Sequence, residues 1–281
     1  MLYKRPLDLA DALALRAAGP WTPLGGGTDL YPATTAAELA GPILDVTAVA
    51  ALKGIQETDA AWRLGAAVTW REVIDAALPP AFYALQAAAR EVGGIQIQNA
   101  GTLAGNLCNA SPAADGVPPL LALDAEVELA SQSGSRRLAL QDFITGPRQT
   151  ALAPDELLVA LWIPKTSCGG ASAFLKLGAR AYLVISIAMV VARVVVTEGR
   201  LAELALAVGS CSAVARRLPS LEERLLGLTS AEAQAQLDDA SVAAALSPID
   251  DPRASAAYRS EAAAELLRRA LSAAFAKEAS A

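Results

Sequence analysis

The chain has 281 residues, 54% of them hydrophobic and 19% charged, enough for two domains each with its own core. Its net charge of −6 excludes the basic face that a nucleic-acid partner requires. It contains no histidine, and its three cysteines, Cys108, Cys168 and Cys211, form no C-x-x-C pair, so it supplies neither a zinc site nor the four thiolates of an all-cysteine iron–sulfur cluster. No apolar run follows Lys4 and Arg5, so no signal peptide is expected, and the location read from the sequence is cytoplasmic. The longest apolar run, Ala181 to Val196, is interrupted by Arg193 and is short for a membrane span. It reads as a buried strand.

Leu7 to Ala18 carries leucines at 7, 9, 13 and 15 and stops at Gly19-Pro20, as a short amphipathic helix does. Trp21 to Leu24 reads as a strand, Thr34 to Leu39 as a short helix and Pro42 to Asp45 as a buried strand, together a small α/β unit. Lys53 to Glu57 and Ala61 to Leu64 flank a Thr58-Asp59 turn and suggest a hairpin. Thr69 and Glu72 have capping-box spacing, which predicts a helix over Trp70 to Ala77. A second helix is expected from Phe82 to Val92, ending at Gly93-Gly94. Ala125 to Ala130 alternates as a half-buried strand should, Ser131 to Ser135 is a turn, and Arg136 to Leu140 returns antiparallel. Leu157 to Ile163 is a strand closed by Pro164, and Thr166 to Gly170 is a linker candidate. Ala173 to Leu177, Ile185 to Val196 and Leu201 to Val208 give three further strands, the last two joined at Glu198-Gly199. Leu218 to Leu226, Ser230 to Ala245 and Ala254 to Lys277 are helical in pattern.

Two stretches do not fit this alternation. Leu24 to Tyr31 (LGGGTDLY) and Asn99 to Asp115 (NAGTLAGNLCNASPAAD) combine glycines with short hydrogen-bonding side chains, and the second reads as a loop with almost no helical period. The first is not a P-loop, because no Gly-Lys-Ser/Thr follows, and not G-x-G-x-x-G, because Leu30 stands at the third glycine position. Three adjacent glycines can be a tight turn and nothing more. They can also form a concave nest of N–H groups for a diphosphate, and two such loops in one domain suit a dinucleotide held from two sides. Neither loop contains lysine or arginine, so neutralisation falls to backbone dipoles.

LGGGTDL together with NAGTLAGNLCNASPAADGVPPLLALDAEVEL resembles the FAD-binding medium subunit of the molybdenum hydroxylases, the family of xanthine dehydrogenase, molybdenum carbon monoxide dehydrogenase, and the isoquinoline and nicotine dehydrogenases. The resemblance continues through FITGPRQTALAPDELLVALWIP (143–164) and SAFLKLGAR (172–180). It implies an α+β chain: a two-subdomain FAD-binding domain of the vanillyl-alcohol-oxidase/PCMH type over residues 1–166, then a C-terminal domain of three antiparallel strands and three helices over residues 170–281. Carried over residue by residue, Leu24, Gly25, Gly26, Gly27, Thr28, Asp29 and Leu30 wrap the diphosphate, and Thr102, Leu103, Ala104, Gly105 and Asn106 cradle it from the other side. Ser111 and Asp115 bind the polar adenosine or ribityl part, and Leu158 and Lys176 match positions that touch FAD. Ala104 departs from the first glycine of a Gly-Gly pair in relatives, a change that a negative φ accommodates. The iron–sulfur insertion of some relatives is missing.

Apart from the resemblance, Lys176 reads as a solvated strand-end lysine and Cys108 as a buried inert thiol, while Trp162 and Tyr182 are candidates for flavin packing whose default reading is core packing. The function the resemblance implies is an electron-transfer subunit of a heterotrimer. It takes electrons from [2Fe-2S] clusters on a small partner subunit, while a large subunit hydroxylates substrate at molybdopterin. The acceptor is NAD, a quinone or oxygen, and no catalytic residue or metal is assigned to this chain. The alternatives are a self-sufficient FAD-dependent oxidase or dehydrogenase, which would need its own base without histidine, and a nucleotide-binding structural module.

Overall fold

The computed structural model describes residues 2–36 and 39–280, which form two compact units. The first comprises residues 1–76, 94–110 and 125–163, and the second residues 77–93, 111–124 and 164–281.

The first unit opens with the helix Leu9–Ala18, capped by the Asp8 carboxylate accepting from the Asp11 N–H at 2.9 Å and ended by Gly19. Tyr3–Lys4, Ile43–Asp45 and Thr22–Leu24 make a parallel sheet in that order, and the central strand is buried at every residue. A five-stranded sheet follows in the order Ile55–Glu57, Ala61–Gly65, Leu157–Pro164, Glu126–Ser131, Gly134–Ala139. Leu157–Pro164 is its middle strand, which explains an apolar run without alternation. Glu126–Ser131 does alternate, with Val127 and Leu129 fully buried and Glu126 and Glu128 half-buried.

Thr69 and Glu72 form the expected capping box over the helix Trp70–Asp75. Asn99 to Asp115, expected as a loop, is instead largely helical: Ile95–Ala100 runs into it, and Leu103–Asn109 fills its middle. The Thr102 hydroxyl caps the second helix by accepting from the Gly105 N–H at 3.0 Å, and Leu103 and Leu107 are fully buried one turn apart. The helical period was present in those two leucines alone.

The second unit is a four-stranded antiparallel sheet in the order Ala171–Leu177, Ala188–Thr197, Arg200–Gly209, Arg216–Arg217. Glu198 and Gly199 turn the central hairpin with φ of 52° and 75°, the pattern of a tight two-residue turn. Val190, Ala192 and Val194 pack beneath the helix Ala256–Glu278, whose buried alanines 263, 264, 270 and 274 allow close approach. Arg193 points the other way, and its Nε donates to the Ala122 carbonyl at 3.0 Å, at the end of the helix Val117–Ala122.

Thr166 to Gly170, expected as a linker, is packed: the buried Ser167 hydroxyl donates to Asp124 at 2.7 Å. The single helix expected over Ser230 to Ala245 is two, Ser230–Gln236 and Asp239–Ala244, because the Asp238 side chain accepts from the Ser241 N–H at 2.7 Å and caps a new start. The helix expected over Thr34 to Leu39 includes Ala37 and Glu38, which lie outside the described residues. Among the described residues, no helix is long and apolar enough to cross a membrane.

The buried Glu222 joins two strands to the helix Pro219–Leu225. Its Oε1 accepts from the Leu206 N–H at 2.7 Å and from Arg217 Nε at 2.7 Å, while Oε2 accepts from Arg217 Nη2 at 2.8 Å. Glu222→Ala leaves a strand N–H without its acceptor and strips the mostly buried Arg217 guanidinium of two bonds, leaving it Asp124 and the Leu121 carbonyl, so equilibrium unfolding should show a loss of about 3 kcal/mol.

Candidate cofactor-binding site

In the first unit, the two glycine segments meet backbone to backbone. Gly27 adopts a φ of 71°, in the left-handed region, and a Cβ there would overlap the Tyr31 ring. A Cβ on Gly26 would overlap the carbonyl oxygen of Ala100, and one on Gly25 would lie 3.0 Å from Thr102 Oγ1. The facing segment is pinned in turn by the entry to the capped helix. The Leu103 N–H donates to the Val68 carbonyl at 3.0 Å, and the Trp70 N–H donates to the Gly101 carbonyl at 3.1 Å. Gly105 differs from Gly26. It has no positive φ and lies exposed within its helix, and a Cβ there would lie 2.9 Å from the Thr102 hydroxyl that caps the helix, a side-chain contact and not a backbone one. Ala104 likewise keeps a negative φ and is buried at 7% exposure, so its methyl is accommodated.

The polar groups of this cradle fit an anionic dinucleotide. Among the described residues, the N–H groups of Gly25, Gly26, Gly27 and Thr28 reach no protein acceptor, although all four residues are half-buried. Oδ1 of Asn106 is buried without a donor, an acceptor of the kind that a ribose or ribityl hydroxyl satisfies. Asp29 is exposed, Leu24 is buried at the end of its strand, and Leu30 accepts the Thr34 hydroxyl on its carbonyl at 2.9 Å. Leu158 is buried in the middle strand, beside a register shift between Leu158 and Ala160.

In the second unit, the structure joins Asp115 to Lys176. The ammonium lies 2.7 Å from Asp115 Oδ2 with its side chain 7% exposed, which overturns the reading of a solvated lysine. Ser186, absent from the sequence-based candidates, donates to Asp115 Oδ1 at 2.7 Å. Its signal was a lone hydroxyl inside an apolar run. Burial raises the Asp115 carboxyl above its usual range, and Lys176 and the Ser186 hydroxyl pull it back down. Ser111 accepts from the Ala113 N–H at 3.3 Å and so shapes the same segment.

Three further expectations are corrected. Cys108 is exposed and not buried. Tyr182 is 74% exposed and packs in no core. Trp162 is half-buried, with Nε1 donating to Glu128 at 2.6 Å and the Arg137 guanidinium 3.8 Å above its ring.

A glycine-lined cradle with open N–H groups suits an anionic dinucleotide. Residues 1–166 match the family described as FAD binding domain in molybdopterin dehydrogenase, and residues 173–274 match CO dehydrogenase flavoprotein C-terminal domain. The chain belongs to the FAD-binding medium subunits of the molybdenum hydroxylases. It is 30% identical to the nicotine 6-hydroxylase medium subunit of Paenarthrobacter nicotinovorans, over 96% of this chain and 95% of that one. It is 36% identical to the xanthine dehydrogenase FAD-binding subunit of Escherichia coli O157:H7, over 74% of this chain and 73% of that one. A chain of the reconstituted CO dehydrogenase from Oligotropha carboxidovorans superposes with a TM-score of 0.88 at 28% identity, covering 98% of each chain.

The glycines should separate in mutagenesis. Gly26→Ala forces backbone apart and should lower both flavin content and thermal stability, whereas Gly105→Ala displaces only the capping Thr102 hydroxyl and should lower thermal stability far less; absorbance at 450 nm per chain and thermal melts read both.

Lys176→Met should cost about 3 kcal/mol at neutral pH by leaving a buried carboxylate against Ser186 alone. Without the cation, the folded-state pKa of Asp115 rises further. The folded state then holds the proton more tightly than the unfolded one, so the variant's stability should fall as pH climbs through the raised value. Denaturant melts of variant and wild type between pH 5 and pH 8 should show the gap widening toward pH 8.

Proposed function

We propose that Gly25–Thr28 and Thr102–Asn106 hold the diphosphate of FAD, and that the chain is the flavin-bearing member of a heterotrimer that moves electrons from iron–sulfur clusters to an external acceptor. The observation that carries this reading is the row of four open N–H groups backed by a contact too close for any Cβ. FAD, when bound, supplies hydride and single-electron chemistry. This chain's residues bind and orient it. Backbone N–H groups face the phosphates without a cation, Asn106 offers its buried Oδ1 to a hydroxyl, and Leu24 and Leu103 close the apolar floor beneath. Asp29 and Leu30 shape the turn that presents those donors. Both Asp115 oxygens are already engaged by Lys176 and Ser186, so the role assigned to that pair is to hold the Ser111–Asp115 segment, with Ser111 the contact to the adenosine or ribityl part. Leu158 is assigned packing beneath the sheet.

The relatives named as medium or FAD-binding subunits support small iron–sulfur and large molybdopterin partners for this chain. So does its composition, because three scattered cysteines and no histidine cannot build an iron–sulfur relay or a histidine base. NAD, a quinone or oxygen is the proposed acceptor. Nothing favours the self-sufficient oxidase or the structural module over this assignment.

Acid precipitation should release a yellow supernatant that chromatographs as FAD, since no histidine exists to attach it. Flavin left in the pellet, or FMN in the supernatant, would defeat the cofactor assignment. Co-expression with partner subunits should give a complex whose flavin bleaches when a heterocyclic or aldehyde substrate is added. Substrate-driven bleaching in the purified single chain would instead identify a self-sufficient oxidase.

A further inference from the structure

The helix Ala256–Glu278 presents one continuous buried stripe, in which Ala263, Leu267, Ala270 and Ala274 are fully buried. Arg259 occupies the first position of that stripe and is 2% exposed, where a leucine or methionine would match the pattern. Its Nη2 is held by Asp251 at 2.7 Å. Its Nη1 donates to two backbone carbonyls, Ile187 at 2.6 Å and Ser210 at 3.1 Å. Its Nε meets no protein acceptor, and neither does the buried hydroxyl of Ser210. A buried guanidinium with an unsatisfied N–H contributes poorly to stability, so its retention points to positioning.

What it positions follows from the two carbonyls. The residue before Ile187 is Ser186, whose hydroxyl holds the Asp115 carboxylate at 2.7 Å. Ser210 is the other anchor. Its own N–H donates to the Pro112 carbonyl at 3.0 Å, and its backbone sits at a φ of 63°, an uncommon conformation for a serine. A single nitrogen therefore grips the two points that hold the two ends of Ser111–Asp115.

We infer that Arg259 is a positioning residue for Ser111–Asp115 and sets FAD affinity through that segment. The link to affinity rests on the proposed contact between this segment and FAD. Lysine at 259 keeps the charge but cannot span Asp251 and both carbonyls, and methionine keeps only the packing.

The test is amide hydrogen exchange with FAD titration on the full chain for Arg259→Met, Arg259→Lys and Asp251→Asn. The last removes the charge that holds Nη2 and leaves both Nη1 bonds to the carbonyls in place, so it should loosen residues 111–115 less than Arg259→Met does. Exchange within residues 111–115 and at the Ser210 amide should rise about tenfold in Arg259→Met and less in Arg259→Lys, with the sheet amides unchanged. The FAD dissociation constant should rise in the same order, by about tenfold for methionine. No change at residues 111–115, or a uniform rise across the whole unit, overturns the positioning role. Local loosening with unchanged FAD affinity leaves Arg259's grip standing and overturns the use of this segment by the cofactor.

Discussion

The backbone of Gly26 lies so close to the Ala100 carbonyl that no Cβ fits between them, and the arrangement of the first unit can be traced outward from that contact. For Ala100 and Gly101 to stand there, the chain must enter the helix Leu103–Asn109 at a fixed angle. That angle is held by pairing to Val68–Trp70, where the Leu103 and Trp70 N–H groups bond across. Trp70 is in turn the first residue of the Thr69–Glu72 capped helix and is almost fully buried. On the other side, Leu24 closes the parallel sheet and delivers the glycines. The contact itself is bare backbone. Bare backbone is what a diphosphate needs in order to reach a row of N–H groups.

The donors of this cradle are accordingly neutral, as the diphosphate proposed for it allows. Loose cations would bind phosphate more strongly but would also recruit stray anions, whereas oriented N–H groups recognise a shape. The second unit treats charge differently, burying Lys176, Arg193 and Arg259 against carboxylates and carbonyls. The first unit closes charged sets too, Asp45 with Arg5, Tyr3 and Thr47 and Glu156 with Arg136, but away from the glycine cradle.

Elements with a local chemical start or stop were legible in the sequence: Gly19 at the end of the first helix, the Thr69–Glu72 box, and the Glu198-Gly199 turn, whereas the Asp8 cap was missed because the leucine spacing carried the helix back to Leu7. Leu157–Pro164 was legible for a different reason, since a strand buried on both faces must be apolar throughout. The glycine loop was readable as a motif, and the family resemblance sharpened it. The stretch from Asn99 to Asp115 misled because glycine, asparagine and threonine dominate it, while its helix depends on one leucine pair and one cap. The Asp115–Lys176 pair was beyond a local reading, as its members stand 61 residues apart and each alone looks like a surface charge. The break at Asp238 is similar, since aspartate within a polar helical pattern reads as an ordinary exposed residue until its cap is seen.

The second unit also raises the question of why residues 77–93 and 111–124 join it, when both are flanked in sequence by the first unit. The answer lies in how their backbone is satisfied. Ser172 accepts the Ala84 N–H at 2.8 Å and donates to the Ala81 carbonyl at 2.7 Å, tying the first insertion to a sheet strand. The second insertion ends in the short helix Val117–Ala122, where the Asp124 N–H donates back to the Leu121 carbonyl at 3.1 Å. Arg217 donates to the same Leu121 carbonyl at 2.9 Å and Arg193 donates to Ala122 at 3.0 Å, so two guanidiniums from the sheet hold the helix end in place. The Ser210 N–H and the Ser186 hydroxyl fix its other end. Apolar burial alone would let these short segments slide over the sheet face. Carbonyls captured by side chains of defined length remove that freedom, and irregular backbone with unmet carbonyls can be buried only where such donors already stand.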